Sequence, residues 1–548
     1  MDDKELTQKS IVSHLDELVE EFPERPAVIH PTSSAVGATC EQFSFKELQH
    51  RSLSYALQLK EYGVMSGQRV LMMVPPGIDL LAGVYALFRL GAIPIFIDPG
   101  MKRPHLLACI KRSKPIHLFA ISKAHWISRL FPSIFKTIEG RFCVGSKSVF
   151  TLAKRLSPVE KGGKVTDFNL PNQDDLAAIL FTSGSTGPPK GVQYKVRHFL
   201  AQIDMLKRYF NIIPGHLDLP LLPVFSLFNP VLGMTSVIPR INPSKPSSLD
   251  PSHIIDLIDR FKIQHSFGAP VLWNILIDFC ESRSLQLSSM EKVLMAGAPV
   301  PPDLLKRMTR ITPNAVTLTP YGATEGLPLC VIDGKAILSK TAEMTKKGKG
   351  ICVGNPLPGI SIRILPISKP ETDYSKLTDC LSEEIGEVVV SGSVVTDTYD
   401  ALPEATKKSK FYVRDTLWHR MGDAGYLDDH GQLWFCGRVG HLVEYQGTPL
   451  FSDCVEAPFN EHPSLKRCAL IKILRNGIEL PALAIEIEDS KTIALSVIKA
   501  ELLDIALKFN LPMIEDFYLH PSFPVDVRHN AKIHRIELGR WAQNRSPI

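Results

Sequence analysis

The run Leu180-Phe181-Thr182-Ser183-Gly184-Ser185-Thr186-Gly187-Pro188-Pro189-Lys190-Gly191 has the side chains of a polyphosphate site. Glycines such as Gly184 and Gly187 let a ligand approach the backbone and turn successive N–H groups toward it. The hydroxyls of Thr182, Ser183, Ser185 and Thr186 add donors, and Lys190 adds a positive charge. The G-x-x-x-x-G-K-[ST] spacing of a Walker A loop is absent. The alternative is a flexible Gly/Ser/Thr loop, although such loops rarely close on Pro-Lys-Gly. A second group, Tyr321-Gly322-Ala323-Thr324-Glu325, sets a ring, a hydroxyl and a carboxylate close together. The ring can stack on a base, the hydroxyl can donate to a phosphate, and the carboxylate can hold Mg²⁺, which prefers oxygen ligands. Its alternative is a strand-to-turn segment with an exposed glutamate.

Both groups follow short apolar runs, Ala177–Phe181 and Ala315–Thr319, and a third such run, Lys292–Met295, leads into Ala296-Gly297-Ala298-Pro299. Runs of this kind alternate with helical stretches over most of the chain, which predicts α/β layers with largely parallel strands. In such folds nucleotide sites sit at strand C-termini, where turns expose backbone N–H groups. Gly386–Gly392 reads as a strand that opens a more β-rich stretch. Beyond Gly437 the texture changes again, to strands within 465–487 and a helix within 491–509. The expected division is therefore residues 1–437 and a small α+β domain over 438–548. Residues 241–251, rich in Pro and Ser, read as a surface connection.

Composition is that of an ordinary globular chain: 548 residues, 44% hydrophobic and 22% charged. Its length calls for more than one core. A net charge of +5 gives no electrostatic footprint for nucleic acid. The basic clusters Lys346-Lys347-Gly348-Lys349 and Lys407-Lys408-Ser409-Lys410 read as solvated loop charge. Ten cysteines lie between Cys40 and Cys468 without a C-x-x-C pair, so free thiols in a reducing compartment are expected. The charged start Met-Asp-Asp-Lys-Glu is no signal peptide. The most apolar stretch, Val70–Ile97, holds Pro75, Pro76, Asp79, Arg89 and Pro94, which a membrane helix would not tolerate. It reads as strand (Arg69–Val74), helix (Asp79–Leu90) and strand (Ile93–Ile97). A cytoplasmic protein is expected.

The loop at 180–191 is similar to the phosphate-binding motif of the adenylate-forming superfamily, which includes acyl-CoA synthetases, peptide-synthetase adenylation domains and firefly luciferase. Further matches follow in order from Phe43-Ser44-Phe45-Lys46-Glu47-Leu48 to Lys532, nearly the whole chain. The resemblance implies a large N-terminal domain of layered α/β subdomains with a β-barrel-like subdomain, and a small mobile C-terminal domain. It implies ATP and Mg²⁺, with Tyr321 on adenine, Thr324 on the α-phosphate, and Glu325 and Thr186 on the metal. The turn with Gly297-Ala298-Pro299 would line the adenine pocket, and Gly322 and Ala323 would also bind ATP or AMP. In Met421-Gly422-Asp423-Ala424-Gly425-Tyr426, Asp423 would accept the ribose hydroxyls, and Arg438 would lie near ribose and phosphate. Lys532, in Pro524-Val525-Asp526-Val527-Arg528-His529-Asn530-Ala531-Lys532-Ile533, would bridge substrate carboxylate and α-phosphate. There Ala531 stands in place of the family's usual glycine.

Other departures bear on the acceptor of the acyl group. The hinge position two after Arg438 is Gly440, the Ile-Lys beyond it is Val443-Glu444, and the histidine before the acyl pocket is replaced in Pro223-Val224-Phe225-Ser226. Pro223–Thr235, Ile97-Asp98-Pro99-Gly100-Met101 and Pro524–Lys532 resemble the β-lactone synthetases of olefin biosynthesis. That branch implies a long-chain 2-alkyl-3-hydroxy acid whose own hydroxyl expels AMP, so CoA would not be needed. The alternatives are a fatty-acyl-CoA ligase, a fatty-acyl-AMP ligase loading a carrier protein, or a catalytically silent nucleotide- and acyl-binding protein. The acyl pocket is expected around Phe225, Phe228 and Gly268, with walls in Phe225–Thr235, Phe267–Val271 and Gly322–Pro328. Enzymes of acyl-chain biosynthesis are expected as transient partners.

Overall fold

The computed structural model describes residues 10–145, 152–159, 164–165, 168–182, 188–242, 244–368, 372–475, 477–488, 494–511, 513–525 and 533–548. The stretch 70–97 folds as strand Arg69–Met73, helix Ile78–Leu90 and strand Ile93–Ile97. The charges that argued against a membrane span are paired inside the protein. Arg89 is fully buried and forms an ion pair with Asp16, and Asp79 accepts from Arg51 at 2.8 Å and Tyr55 at 2.7 Å. Among the described residues no helix is long and apolar enough to cross a membrane. Local signals set the boundaries. Ser44 and Glu47 cap the helix Phe45–Glu61 reciprocally.

Two large sheets dominate. The first runs in the spatial order Thr398–Tyr399, Lys190–Lys195, Leu176–Thr182, Ile93–Ile97, Arg69–Met73, His117–Ile121, Gly140–Val144 and Lys154–Arg155. It is parallel except around Lys190–Lys195, which pairs antiparallel with both neighbours. The second has a parallel part in which Leu217–Pro220, His265–Gly268, Lys292–Met295 and Val316–Ala323 lie side by side. At Val316–Ala323 the chain turns back as Gly326–Asp333, and from there the sheet continues antiparallel through Ile351–Pro356, Leu433–Arg438, Thr416–Leu427 and Gly386–Ser391. The β-rich stretch thus extends the parallel sheet edge to edge.

A third sheet pairs Leu465–Arg475 with Ile478–Ile487 antiparallel and Ile478–Ile487 with Phe517–Leu519 parallel. Alternate residues face opposite ways. Leu470, Leu483 and Ile485 pack under the helix Leu495–Lys508 through Ile498, Leu502 and Ala506. Ala469, Ile471, Ala482 and Ala484 pack under Arg535–Ala542 through Leu538 and Ala542. Near its end the chain forms an isolated antiparallel bridge between Val525 and Ile533.

Candidate active site

The two large sheets meet at the hairpin turn that carries Thr324 and Glu325. Gly322 is required there: a Cβ on it would lie 2.6 Å from the carbonyl oxygen of Gly326 and 2.8 Å from the Leu327 side chain. Tyr194, on the strand Lys190–Lys195 of the first sheet, donates its hydroxyl to the Thr324 carbonyl at 2.5 Å. Thr396 gives two bonds to the Glu325 carbonyl, from its N–H at 2.8 Å and its hydroxyl at 3.1 Å. Tyr399 donates to the Glu325 carboxylate at 2.6 Å, and Lys190 Nζ stands 4.6 Å above the centre of the same Tyr399 ring. Lys190 is set by the hairpin register, its backbone opposite Thr182. Ser183, Gly184, Ser185, Thr186 and Gly187, which join those strands, lie outside the described residues, as do Lys532 and the side chain of Thr182.

A second polar group lies on the antiparallel extension. Asp423 and Arg438 are cross-strand partners. Arg438 Nη1 donates to Asp423 Oδ1 at 2.6 Å and to the Met421 carbonyl at 2.9 Å, while Tyr321 donates to Asp423 Oδ2 at 2.6 Å. Asp423 is only 5% exposed. Its charge holds the Arg438 guanidinium above the ordinary range, and burial beside that carboxylate raises the Tyr321 phenol well above its own. Tyr321 therefore brings a hydroxyl role as well as the ring face expected from sequence. The turn after Lys292–Met295 bends at Gly297, whose φ of +92° suits glycine, and leads through Ala298 and Pro299. Ala296 there donates its N–H to the carbonyl of Gly268 at 3.1 Å.

Around the expected acyl pocket, Phe225 packs on Phe267 with ring centres 3.9 Å apart. A Cβ on Gly268 would crowd Leu221 and Trp273 at 3.0 and 3.3 Å. Phe228 instead packs toward Phe199, 6.0 Å away. Beneath this segment Asn229 donates to Asp218 at 2.7 Å and to Ser236 at 3.1 Å. Burial pushes the Asp218 carboxyl up to about 6, against the opposing bond from Asn229. Beyond Arg438, Gly440 sits in a short 3-10 turn, Val439–His441. Burial and the cations Arg535 and Arg438 push the His441 imidazole down to about 4.

One expectation is corrected. In the basic run at 407–410, Lys407 and Lys408 are exposed, but Lys410 is 7% exposed. As first residue of the strand Lys410–Val413, paired with His419, it turns inward and donates to the Thr396 carbonyl. Burial pushes its ammonium down to about 8, Glu325 and Asp397 opposing the shift and Lys190 adding to it. Tyr399 and Thr396 were not singled out from sequence, and Lys410 was read only as one of a solvated run. Each gains its meaning from Glu325, more than seventy positions away in the chain.

The profile of the family described as "AMP-binding enzyme" matches residues 15–400. The chain belongs to this family. It is 37% identical, over 97% of its own length and 97% of the relative's, to the olefin β-lactone synthetase of Xanthomonas campestris pv. campestris. Identity to the enzyme of the same name from Stenotrophomonas maltophilia is also 37%, over 97% and 98%. Among solved structures it is similar to the amide bond synthetase McbA of Marinactinospora thermotolerans (TM-score 0.78, 18% identity, 97% of this chain and 99% of that one). It is likewise similar to O-succinylbenzoate coenzyme A synthetase of Bacillus subtilis in complex with ATP and magnesium (TM-score 0.74, 20% identity, 95% and 98%). This AMP-binding enzyme is thus an adenylate-forming ligase with the mixed α/β fold of its class.

Proposed function

We propose that the enzyme adenylates a long-chain 2-alkyl-3-hydroxy acid and then closes the acyl-adenylate to a β-lactone. The similarity to olefin β-lactone synthetases along nearly the full length of both chains carries this reading. The replaced hinge, Gly440, and the Val443-Glu444 beyond it support it, because an internal nucleophile needs no path for CoA.

The residues divide the work as follows. Asp423 and Tyr321 hold the ribose and adenine end, with Arg438 neutralising Asp423. Thr324 and the hydroxyls at 182–186 donate to the phosphates, and Lys190 draws charge toward the leaving pyrophosphate. Glu325, an oxygen donor beside Lys190 and Lys410, fits Mg²⁺, and Thr186 would be the second ligand. The metal, when bound, would neutralise charge on the phosphate tail. A carboxylate oxygen of the acid attacks the α-phosphorus as the bond to pyrophosphate breaks, and Lys532 lets the two anions approach. The substrate's 3-hydroxyl then attacks the activated carbonyl carbon, and its proton passes to water. AMP leaves and a four-membered ring is closed.

We read the chain as two parts joined after Gly437. The pairing pattern supports this, since the strands Val443–Tyr445 and Thr448–Leu450 pair only with each other and the later ones form the third sheet, both separate from the two large sheets. A panel of 3-hydroxy and plain fatty acids, with and without CoA, tests the function by mass spectrometry. AMP and β-lactone are expected from 3-hydroxy acids without any thiol. A product that appears only as acyl-CoA would overturn the lactone step.

A further inference from the structure

The segment that runs from Thr396 to Lys410 is pinned to the first sheet before it reaches the site. Asp400, fully buried, takes both nitrogens of the Arg69 fork at 2.7 and 3.2 Å. Asp397 pairs with Lys195 at 2.8 Å and Arg197 at 2.6 Å. From this strap two side chains reach one residue of the hairpin turn, and a third braces them. Thr396 grips the Glu325 carbonyl through both its N–H and its hydroxyl. Tyr399 grips the Glu325 carboxylate. Lys410 spans back to the Thr396 carbonyl and closes the loop of contacts, with its Nζ 5.8 Å from the centre of the Tyr399 ring. A buried ammonium bears a large desolvation cost unless nearby charge or carbonyl dipoles offset it. Here the offset is the Thr396 carbonyl together with the charges of Glu325 and Asp397. Glu325 is therefore held at its backbone and at its carboxylate, from a strap that is itself fixed.

We propose that Thr396, Tyr399 and Lys410 form a clamp that positions Glu325, fixing the direction in which its carboxylate meets the metal–triphosphate. The proposal rests on the reading of Glu325 as the metal-holding residue. Lys410 is a positioning residue in this scheme: it acts on Thr396 and Tyr399 and needs no contact with substrate. Its burial distinguishes it from Lys190, which is only partly buried.

The test uses the full-length enzyme and measures pyrophosphate release with a 3-hydroxy acid over a Mg²⁺ titration, AMP binding by calorimetry, and thermal midpoints. K410M keeps the stem and removes the charge; Y399F keeps the ring and removes the bond to Glu325. Each is expected to raise the half-saturating Mg²⁺ about tenfold, the usual scale for losing a hydrogen bond to a charged group. AMP affinity should stay within about twofold, because Asp423 and Tyr321 are untouched. Unchanged Mg²⁺ requirements, or AMP binding lost in step with activity, would overturn the clamp. Should K410M fail to fold, Y399F decides alone by the same criterion. E325Q separates the metal-holding role of Glu325 from the clamp that positions it. If it leaves the Mg²⁺ requirement unaltered, the metal-holding role falls and the clamp with it. If E325Q shifts the requirement while Y399F does not, only the clamp falls.

Discussion

Asp423 is engaged on both oxygens, by Arg438 and by Tyr321. Each carboxylate oxygen has two lone-pair sites, so two ribose hydroxyls can still be accepted there. A carboxylate already aligned by two donors loses little freedom when a ligand arrives. Lys532 belongs to a different step, and K532A should abolish pyrophosphate release while ATP binding remains measurable by calorimetry. Full exchange activity in that variant would remove Lys532 from the mechanism. Asp218 carries a prediction in pH. An aspartate titrates near 3.9 in an unfolded chain, whereas burial brings Asp218 to about 6, so the fold favours its protonated form. Below about pH 4 both states are protonated; between about 4 and 6 stability falls as pH rises. D218N should raise the thermal midpoint at pH 7.5, by a stability on the order of 3 kcal/mol, and the gain should vanish near pH 4. Tyr321, Asp423 and Arg438 were named from their motifs in sequence, and the structure brings these three together. Lys410 was not, because a lysine in a basic run looks solvated until the strand register turns it inward.

The hairpin between Val316–Ala323 and Gly326–Asp333 is the element on which the site depends. It bulges between Tyr321 and Ala323, which lets Tyr321 reach the antiparallel extension while Glu325 faces the first sheet. A methyl group at Gly322 has no room between the Gly326 carbonyl and Leu327. G322A should therefore displace the turn and lower kcat by an order of magnitude or more, with only a small change in thermal midpoint. An unchanged kcat would show that the turn relaxes freely. The runs at 69–73, 93–97, 176–182 and 292–295 were visible as short apolar segments, since buried parallel strands leave that trace. Which strand lies beside which was not visible. The pairing of Cys330 with Pro356, which carries the sheet onward, is a long-range choice that no local pattern encodes.

At the scale of the whole molecule, two sheets meet at one turn and a third, smaller sheet follows them in the chain. The change of texture after Gly437 marked that last part in sequence because short strands followed by a strong helical period differ from the long sheets before them. The way the first two sheets touch was hidden, for it depends on Tyr194, Thr396 and Tyr399 reaching across to 324–325. The bridge between Val525 and Ile533 has a consequence for motion. The bridge fixes the backbones of Val525 and Ile533 against each other, and both side chains pack on the core beneath Arg535–Ala542. Whatever displaces the small sheet must therefore carry Val525 and Ile533 with it, as two rivets travel with one plate.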